Sequence, residues 1–391
     1  MSPRISRPTS SGKVLFYVQH LLGIGHLARA SRIARALMED GFDVTLVTGG
    51  APVEGFPGKG VTHIQLPAVV ASNSGFSALA DLDGHPVDAA FEEARTRQLL
   101  EAFHSARPDA VILEAFPFGR RQVRFELLPL IEAIRSATPK PLLFSSIRDI
   151  LQENRKPGRD RETVDLIKAH FDGVLVHGAP EFVRLEDTFA LTQEIADRLH
   201  YTGLVAPQKP EPATDEYDTV ISAGGGAVGA ALIGAAFDAR RLLRDQSRWC
   251  VIAGPNLPAS DYAQFETRAD AGVSLFRFRR DFPRLLGSAT LSISQAGYNT
   301  VCDLLAARCR SLLVPFAAGG ETEQTVRAAR LEALGLAQVV REEGLNGPAM
   351  ADAIVAARTL TFPEHLPVSL DGAAETARFI RRQLDKAQAL N

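Results

Sequence analysis

Twice along this 391-residue chain a short apolar run leads into a glycine-rich turn and then a helical pattern, and that repetition restricts the fold more than any other feature. Residues 13–19 (KVLFYVQ) are apolar, β-branched and aromatic, and run into Gly23 and Gly25; residues 27–38 then carry helical spacing as far as Gly41. Residues 219–223 do the same before the run 224–229 and a helical stretch to about Leu243. A strand feeding a tight turn and a helix is the opening unit of a parallel sheet covered on both faces. The alternation continues. Residues 42–48, 61–66, 110–114, 141–145 and 173–177 read as further strands of the first set, and 249–253, 273–276, 289–294 and 311–314 as further strands of the second. Between the sets, residues 205–216 (VAPQKPEPATDE) hold three prolines and no apolar period, which is linker composition. The expected architecture is therefore α/β, with two Rossmann-like parallel-sheet domains facing across a cleft. They span residues 13–205 and 218–370, joined by a Pro-rich linker at 206–217. A last helix within 371–391 is expected to pack back on the first domain.

Composition narrows the function classes. Hydrophobic residues are 46% and charged residues 23%, enough apolar material for two cores. A net charge of −3 gives no global field for nucleic acid. Cys250, Cys302 and Cys309 are too few and too unevenly spaced for a disulfide framework or a zinc site, which fits a reducing cytoplasm. No apolar run approaches the ~20 residues of a membrane span. Residues 1–12 are polar, carry Arg4 and Arg7, and read as a short disordered tail rather than a signal peptide.

The glycine turns suit a phosphate at a helix N-terminus. Gly23-Ile24-Gly25-His26-Leu27-Ala28 fits G-x-G-x-x-A, and Gly224-Gly225-Gly226-Ala227-Val228-Gly229 fits G-x-G-x-x-G. A dinucleotide site also needs an acid at the end of the second strand to hold a ribose. The two second strands end in Thr48-Gly49-Gly50 and Ala253-Gly254-Pro255, without one. A third loop is more informative: Ser294-Gln295-Ala296-Gly297-Tyr298-Asn299-Thr300-Val301-Cys302-Asp303 leaves an apolar strand and enters a helix. Gly297, Asn299 and Thr300 there would offer backbone amides, a carboxamide and a hydroxyl to a diphosphate, and Asp303, one turn on, a carboxylate to a ribose diol. After the next strand, Glu323 and Gln324 open another helix, a pair suited to reading sugar hydroxyls.

Residues 294–336 (SQAGYNTVCDLLAARCRSLLVPFAAGGETEQTVRAARLEALGL) resemble the donor-binding half of GT-B glycosyltransferases, above all the MurG-type lipid-linked N-acetylglucosaminyltransferases of glycosyltransferase family 28. The Gly23–His26 turn, the Gly224–Gly226 run and the terminal helix after a Pro-rich segment fit the same family. The resemblance implies a GT-B fold and a nucleotide-sugar co-substrate, UDP-linked, with no other cofactor and no metal. It implies that Gly225, Gly226, Gln295, Gly297, Asn299, Thr300 and Asp303 hold the donor diphosphate and ribose, and Glu323 with Gln324 the sugar. Phe278 and Arg279 fall where the family's backbone meets the base. Gln295 stands where the family often has His or Ser, Asp303 where it has a longer Glu, and the loop before Glu323 is extended.

His26 follows the first turn, where inverting enzymes of this family hold a general base. Imidazole titrates near neutrality, so turnover is expected to rise through an apparent pKa of about 6–7. Gly23, Gly25, Arg148 and Asp149 are the expected acceptor and phosphate contacts, the last two because they end a strand. His20 is a second candidate base, and His177 ends a strand where it could face a cleft. Asp81-Leu82-Asp83 has the D-x-D form of metal-dependent glycosyltransferases but sits in a polar loop. Residues 114–135 mix phenylalanines and leucines with Arg120, Arg121 and Arg124. They read as a core helix with a basic edge, or as a patch for an anionic membrane. The leading function is transfer of a sugar to a hydroxyl acceptor, perhaps lipid-linked, in the cytoplasm or at the membrane's cytoplasmic face. Gly-Ile-Gly-His followed by Arg29 also resembles nucleotide-sugar hydrolases of nonulosonic acid synthesis, where the same His would activate water. UDP-sugar 2-epimerases share the fold, but their carboxylate set is not found; a degenerate sugar-nucleotide sensor would have no use for His26.

Overall fold

The computed structural model describes residues 12–21, 23–71, 79–152, 157–224 and 229–389. The expected N-terminal tail lies outside them but for Gly12. Two compact units form. One takes the chain to Pro180, then Arg184–Val205 and everything from Asp371; the other is Glu181–Val183 with Ala206–Leu370.

The first unit runs β1 (Lys13–Val18), α1 (Gly25–Glu39), β2 (Asp43–Thr48), β3 (Thr62–Gln65), a short hairpin of β4 (Val70–Ala71) and β5 (Leu79–Ala80), α2 (Ala89–Ala106), β6 (Ala110–Glu114), α3 (Arg124–Ser136), β7 (Leu142–Arg148), α4 (Arg159–His170), β8 (Gly173–His177) and β9 (Leu199–Tyr201). Its seven strands are parallel in the order β3-β2-β1-β6-β7-β8-β9. β1, β6 and β8 are almost wholly buried, which explains their unbroken apolar sequences.

The second unit holds β10 (Thr219–Ser222), α5 (Ala230–Leu243), β11 (Trp249–Ile252), α6 (Ala259–Arg268), β12 (Val273–Phe276), α7 (Phe282–Ser288), β13 (Leu291–Ser294), α8 (Tyr298–Ala307), β14 (Ser311–Leu313), α9 (Glu323–Ala333), β15 (Gln338–Val339) and α10 (Gly347–Arg358). Its parallel order is β12-β11-β10-β13-β14-β15. The last helix, α11 (Gly372–Ala389), returns to the first unit. Its Ala377, Ile380 and Leu384 pack with Leu27, Ile33 and Leu37 of α1, and Arg381 donates to Asp40 Oδ2 at 2.8 Å.

Both sheets wind outward in two directions from a central pair. In the first, the chain goes from β1 to β2 and β3 on one side and resumes at β6 on the other. In the second, β10 and β13 play those parts. The carboxyl ends of such a pair leave a crevice where α/β sheets bind ligands.

A buried charged cluster pins the end of β1. Arg95 of α2 donates from Nε to Glu126 Oε2 at 2.8 Å and from a terminal nitrogen to Oε1 at 2.6 Å. It also reaches Gln19 Oε1 and Gly49 O, each at 3.0 Å, while the Tyr17 hydroxyl donates to Glu126. Burial and the Glu126 charge push the Tyr17 pKa well above its ordinary value, so the phenol stays a donor. Glu126→Leu would leave the Arg95 guanidinium buried without its counter-charge. It is expected to destabilise the first unit by about 3–5 kcal/mol, measured by calorimetric or urea unfolding. A variant as stable as the parent refutes the clamp.

Candidate active site

At the first crevice, α1 opens at Gly25 with Ile24 as its N-cap. No side chain caps it and no acid lies in its first turn. The positive dipole end of α1 there favours an anion. His26 is the second residue of this helix. Its Nδ1 lies 2.8 Å from Oε2 of Glu114, the last residue of β6, and Arg29, one turn further along α1, donates to Oε1 of the same carboxylate. Glu114 is fully buried and Arg29 nearly so, while the His26 side chain keeps 22% of its exposure.

The electrostatics assign the tautomer. The His26 and Arg29 charges hold the Glu114 carboxyl well below the usual carboxylate range, against the opposing pull of burial. Glu114 is thus ionised and accepts a hydrogen bond from Nδ1–H, which leaves the lone pair on Nε2. Burial, helped by the Arg120 and Arg29 cations, outweighs the Glu114 charge and lowers the His26 pKa to about 4. The rise through about 6–7 expected from free imidazole is corrected accordingly: His26 is neutral and ready to accept a proton throughout the neutral range.

His26, Arg29, Arg120 and Arg148 line one cavity of about 220 Å³, with Phe118 and Phe189 among its apolar walls. Arg148 thus lies in the site as expected. Asp149 does not line it; it is fully buried, and its carboxylate takes its neighbour's amide, Ile150 N, at 3.0 Å. Gly23 is exposed, and the space about its α-carbon is open. His20 is buried and bonds Ala51 O at 2.9 Å through Nε2. His177 is fully buried between Ser146 Oγ (2.8 Å) and Thr202 Oγ1 (2.9 Å), with burial lowering its pKa to about 3; it is a neutral core residue facing no cleft. The apolar residues of 114–135 also lie inside: Phe116, Leu127, Leu130, Ile131 and Ile134 are core, and Arg121 and Arg124 pair with Glu162. That fits the core reading of this stretch over the membrane patch. Among the described residues no helix is long and apolar enough to cross a membrane.

At the second crevice, α8 begins after Gly297 with no side-chain cap and no acid in its first turn. Asn299 and Thr300 are half-buried in that turn, and Asp303, one turn on, is 8% exposed. The preceding loop is gripped from both sides. Gln295 donates its amide to Ser222 O at 3.3 Å, and its side chain lies over Gly224, where a Cβ would come within 2.7 Å of Oε1. Gly224 also has φ +75°, so glycine is required there twice over. Ala296 N donates to Gln324 Oε1 at 3.0 Å, and Ala296 O accepts from Arg327 at 2.9 Å. Gly225 and Gly226 lie outside the described residues.

The residues expected to read the sugar stand behind this loop. Glu323 is 3% exposed and bound to Arg327 at 2.7 Å, and the Gln324 carbonyl takes the amides of Ala296 and Phe316. The Glu323 carboxylate, expected at the sugar, is engaged by the buried Arg327 guanidinium and so orients Arg327 and the loop. Gln324 keeps only its NH2 end for a ligand. Phe278 is 56% exposed, but the Arg279 guanidinium is held by Asp281 and Asp215, leaving its backbone alone for a base. Asp81, Asp83 and His85 cluster within ligating distance of one another on the surface. The Asp81 carboxylate there accepts the Asp83 and His85 amides, as in an ordinary polar turn.

Glu114 is the functional residue that the sequence reading missed. The signal was a carboxylate closing an otherwise wholly apolar strand, AVILE. A charge at such a place needs a partner.

Residues 220–359 match the model of the glycosyltransferase family 28 C-terminal domain. Over 128 residues the chain is 30% identical to the UDP-N-acetylglucosamine--N-acetylmuramyl-(pentapeptide) pyrophosphoryl-undecaprenol N-acetylglucosamine transferase of Acidithiobacillus ferrooxidans, covering 33% of this chain and 34% of that one. The corresponding protein of an Exiguobacterium species is 37% identical over 82 residues, 21% and 23% of the two chains. The chain thus covers about a third or less of the length of these relatives. Likeness to solved structures extends over nearly the whole chain. The glycotransferase of kitacinnamycin superposes with a TM-score of 0.62 at 14% identity, covering 97% of this chain and 96% of that one. MurG of Acinetobacter baumannii gives 0.56 at 14%, covering 96% and 99%. The fold is GT-B.

The His26 assignment has a direct readout. Nitrogen-15 NMR of the imidazole should show the Nδ1–H tautomer at neutral pH and a titration midpoint near 4. Because this folded-state pKa lies below the unfolded value, the contribution of His26 to stability is complete above ~6.5 and is lost as the pH falls toward 4. A midpoint at or above the free value, or the Nε2–H tautomer, contradicts the arrangement.

Proposed function

We propose that this chain, of GT-B fold and matched by the glycosyltransferase family 28 C-terminal domain over residues 220–359, is a nucleotide-sugar-dependent glycosyltransferase that inverts the anomeric centre without a metal. The observation that carries the reading is the uncapped start of α8 inside the matched region, an anion seat at a sheet's switch point. In this reading the amides of the first α8 turn receive the donor diphosphate, with Asn299 and Thr300 beside them, and Asp303 takes the ribose. A base is the second requirement, and His26 with Glu114 has the form of one. Nε2 takes the proton of an acceptor hydroxyl as its oxygen attacks the anomeric carbon. The bond to the diphosphate breaks on the opposite face, and Glu114 stabilises the imidazolium that forms. Charge on the departing diphosphate is met by fixed amide dipoles, the task a metal performs elsewhere. The donor is expected to be UDP-linked. The acceptor is a hydroxyl compound, and one that is lipid-linked, as in the names of the relatives above, would bring the protein to the cytoplasmic membrane face. The resemblance of His26 and Arg29 to nucleotide-sugar hydrolases has another explanation, since Arg29 is spent on Glu114.

UDP-, GDP- and dTDP-sugars should be screened for thermal stabilisation. A donor at 100 times its dissociation constant adds about 2.7 kcal/mol. Asp303→Ala should weaken that donor's binding by about 1–3 kcal/mol, and unchanged affinity in calorimetry removes Asp303 from the site. His26→Ala and Glu114→Gln should each lower turnover roughly 10²–10⁴-fold while leaving donor affinity nearly unchanged. Near-normal turnover of a folded His26→Ala protein rejects it as the base. Activity should survive EDTA; loss reversed by Mg²⁺ or Mn²⁺ would return attention to Asp81 and Asp83. Free sugar released at the same rate without acceptor would favour the hydrolase.

A further inference from the structure

The cavity beside His26 holds a cation for which no hydrogen bond is found among the described residues. Arg120 lies on its wall, its Nε shut away from solvent and without a hydrogen bond among the described residues. The nearby carboxylate of Glu114 is already taken by His26 and Arg29. Arg120 and Ala115 also stand at φ +60° and +62°, left-handed backbone that is costly away from glycine. Between them Gly119 N closes a turn on Ala115 O at 2.6 Å. A short loop leaving β6, the strand that ends at Glu114, is thus bent back at both ends, and it delivers a guanidinium to the wall that His26 shares. An arginine carries five donors and no acceptor and stays charged, so what it lacks is an oxyanion. The lining also carries Phe118 and Phe189, packed edge to face at 5.2 Å. The volume, about 220 Å³, is small for a drug-sized ligand and suits one sugar ring or a compact polar group.

We propose that Arg120 seats an anionic substituent, phosphate or carboxylate, carried by the acceptor next to the hydroxyl that His26 deprotonates. The assignment rests on reading this cavity as the acceptor site, and it makes Arg120 the residue that selects charged sugars over neutral ones. It also couples binding to basicity. The charged groups around the His26 imidazole are Glu114, which favours its protonation, and Arg29 and Arg120, which oppose it; Arg148 and Asp160 line the same cavity. An anion on Arg120 offsets one of the opposing cations, so the acceptor raises the proton affinity of its own base on arrival.

Glucose 1-phosphate, glucuronate and glucose serve as probes, by calorimetry and by the nitrogen-15 titration of His26. Wild-type protein is expected to bind one or both anionic sugars about ten- to hundredfold more tightly than glucose, and the tighter of the two names the anion. The His26 midpoint should move upward when that probe is bound. Arg120→Gln should abolish both effects, Arg120→Lys should restore part of the preference, and donor-induced thermal stabilisation should be the same in all three proteins. Glucose binding as tightly as the anions, or a preference that survives Arg120→Gln, overturns the site. If Arg120→Gln fails to fold, inorganic phosphate on the wild-type protein decides: an upward shift of the His26 midpoint supports the seat, and indifference overturns it. A protein that keeps the anion preference but is stabilised by no nucleotide sugar retains the Arg120 site and loses the proposed reaction.

Discussion

Parallel strands wound outward from a central pair leave one place per sheet where two carboxyl ends lie side by side with no helix crossing between them. Each unit of this protein has such a place, between β1 and β6 in the first and between β10 and β13 in the second. All the chemistry argued above follows from that constraint. It brings His26 within 2.8 Å of a residue 88 positions away. It sets the loop before α8 against Gly224, so that one turn braces the other. The helices entering these crevices, α1 and α8, both start without a side-chain cap. A capping Ser or Asp is worth about 1 kcal/mol, but its oxygen would occupy the amides an anion needs.

Buried charge then separates support from function. The Tyr17–Arg95–Glu126 cluster and the Glu323–Arg327 pair are closed and well satisfied, and each fixes a loop from behind. The His26–Glu114–Arg29 group is built with the same buried carboxylate and guanidinium, yet its third member keeps partial exposure. Glu114 engages Nδ1 and leaves Nε2. One carboxylate therefore fixes the ring and selects its tautomer. Arg120, whose Nε has no hydrogen bond among the described residues, is found on the same cavity wall.

The fold was largely legible because fully buried strands write themselves as apolar runs. Residues 110–114 and 173–177 match β6 and β8 end to end. β9 (LHY) and β15 (QV) escaped notice as short, part-buried edge strands whose pairing is dictated by neighbours rather than by pattern. The site was legible only where function lies within one loop, as in the run from Gln295 to Asp303. Glu114 could not be joined to His26 from spacing, since adjacency there comes from sheet order. Glu323 shows a related limit: a carboxylate at a helix start reads as a ligand group, and only the packing reveals Arg327 as a partner of it.

The two crevices divide the work along electrostatic lines. The one at α8 presents amides, a carboxamide and a hydroxyl, and its buried acid, Asp303, lies a turn deeper. It suits a ligand that is anionic throughout and gains negative charge on leaving. The one at α1 concentrates titrating and permanently charged groups around a single imidazole, so its proton affinity depends on what else is bound. Burial and two arginines hold that affinity low in the empty site, and only counter-charge from a ligand can raise it. A base tuned in this way is weakest toward water in the unoccupied protein and strongest toward a hydroxyl that arrives with an anion attached, which is how a buried histidine can favour transfer over hydrolysis without excluding water altogether.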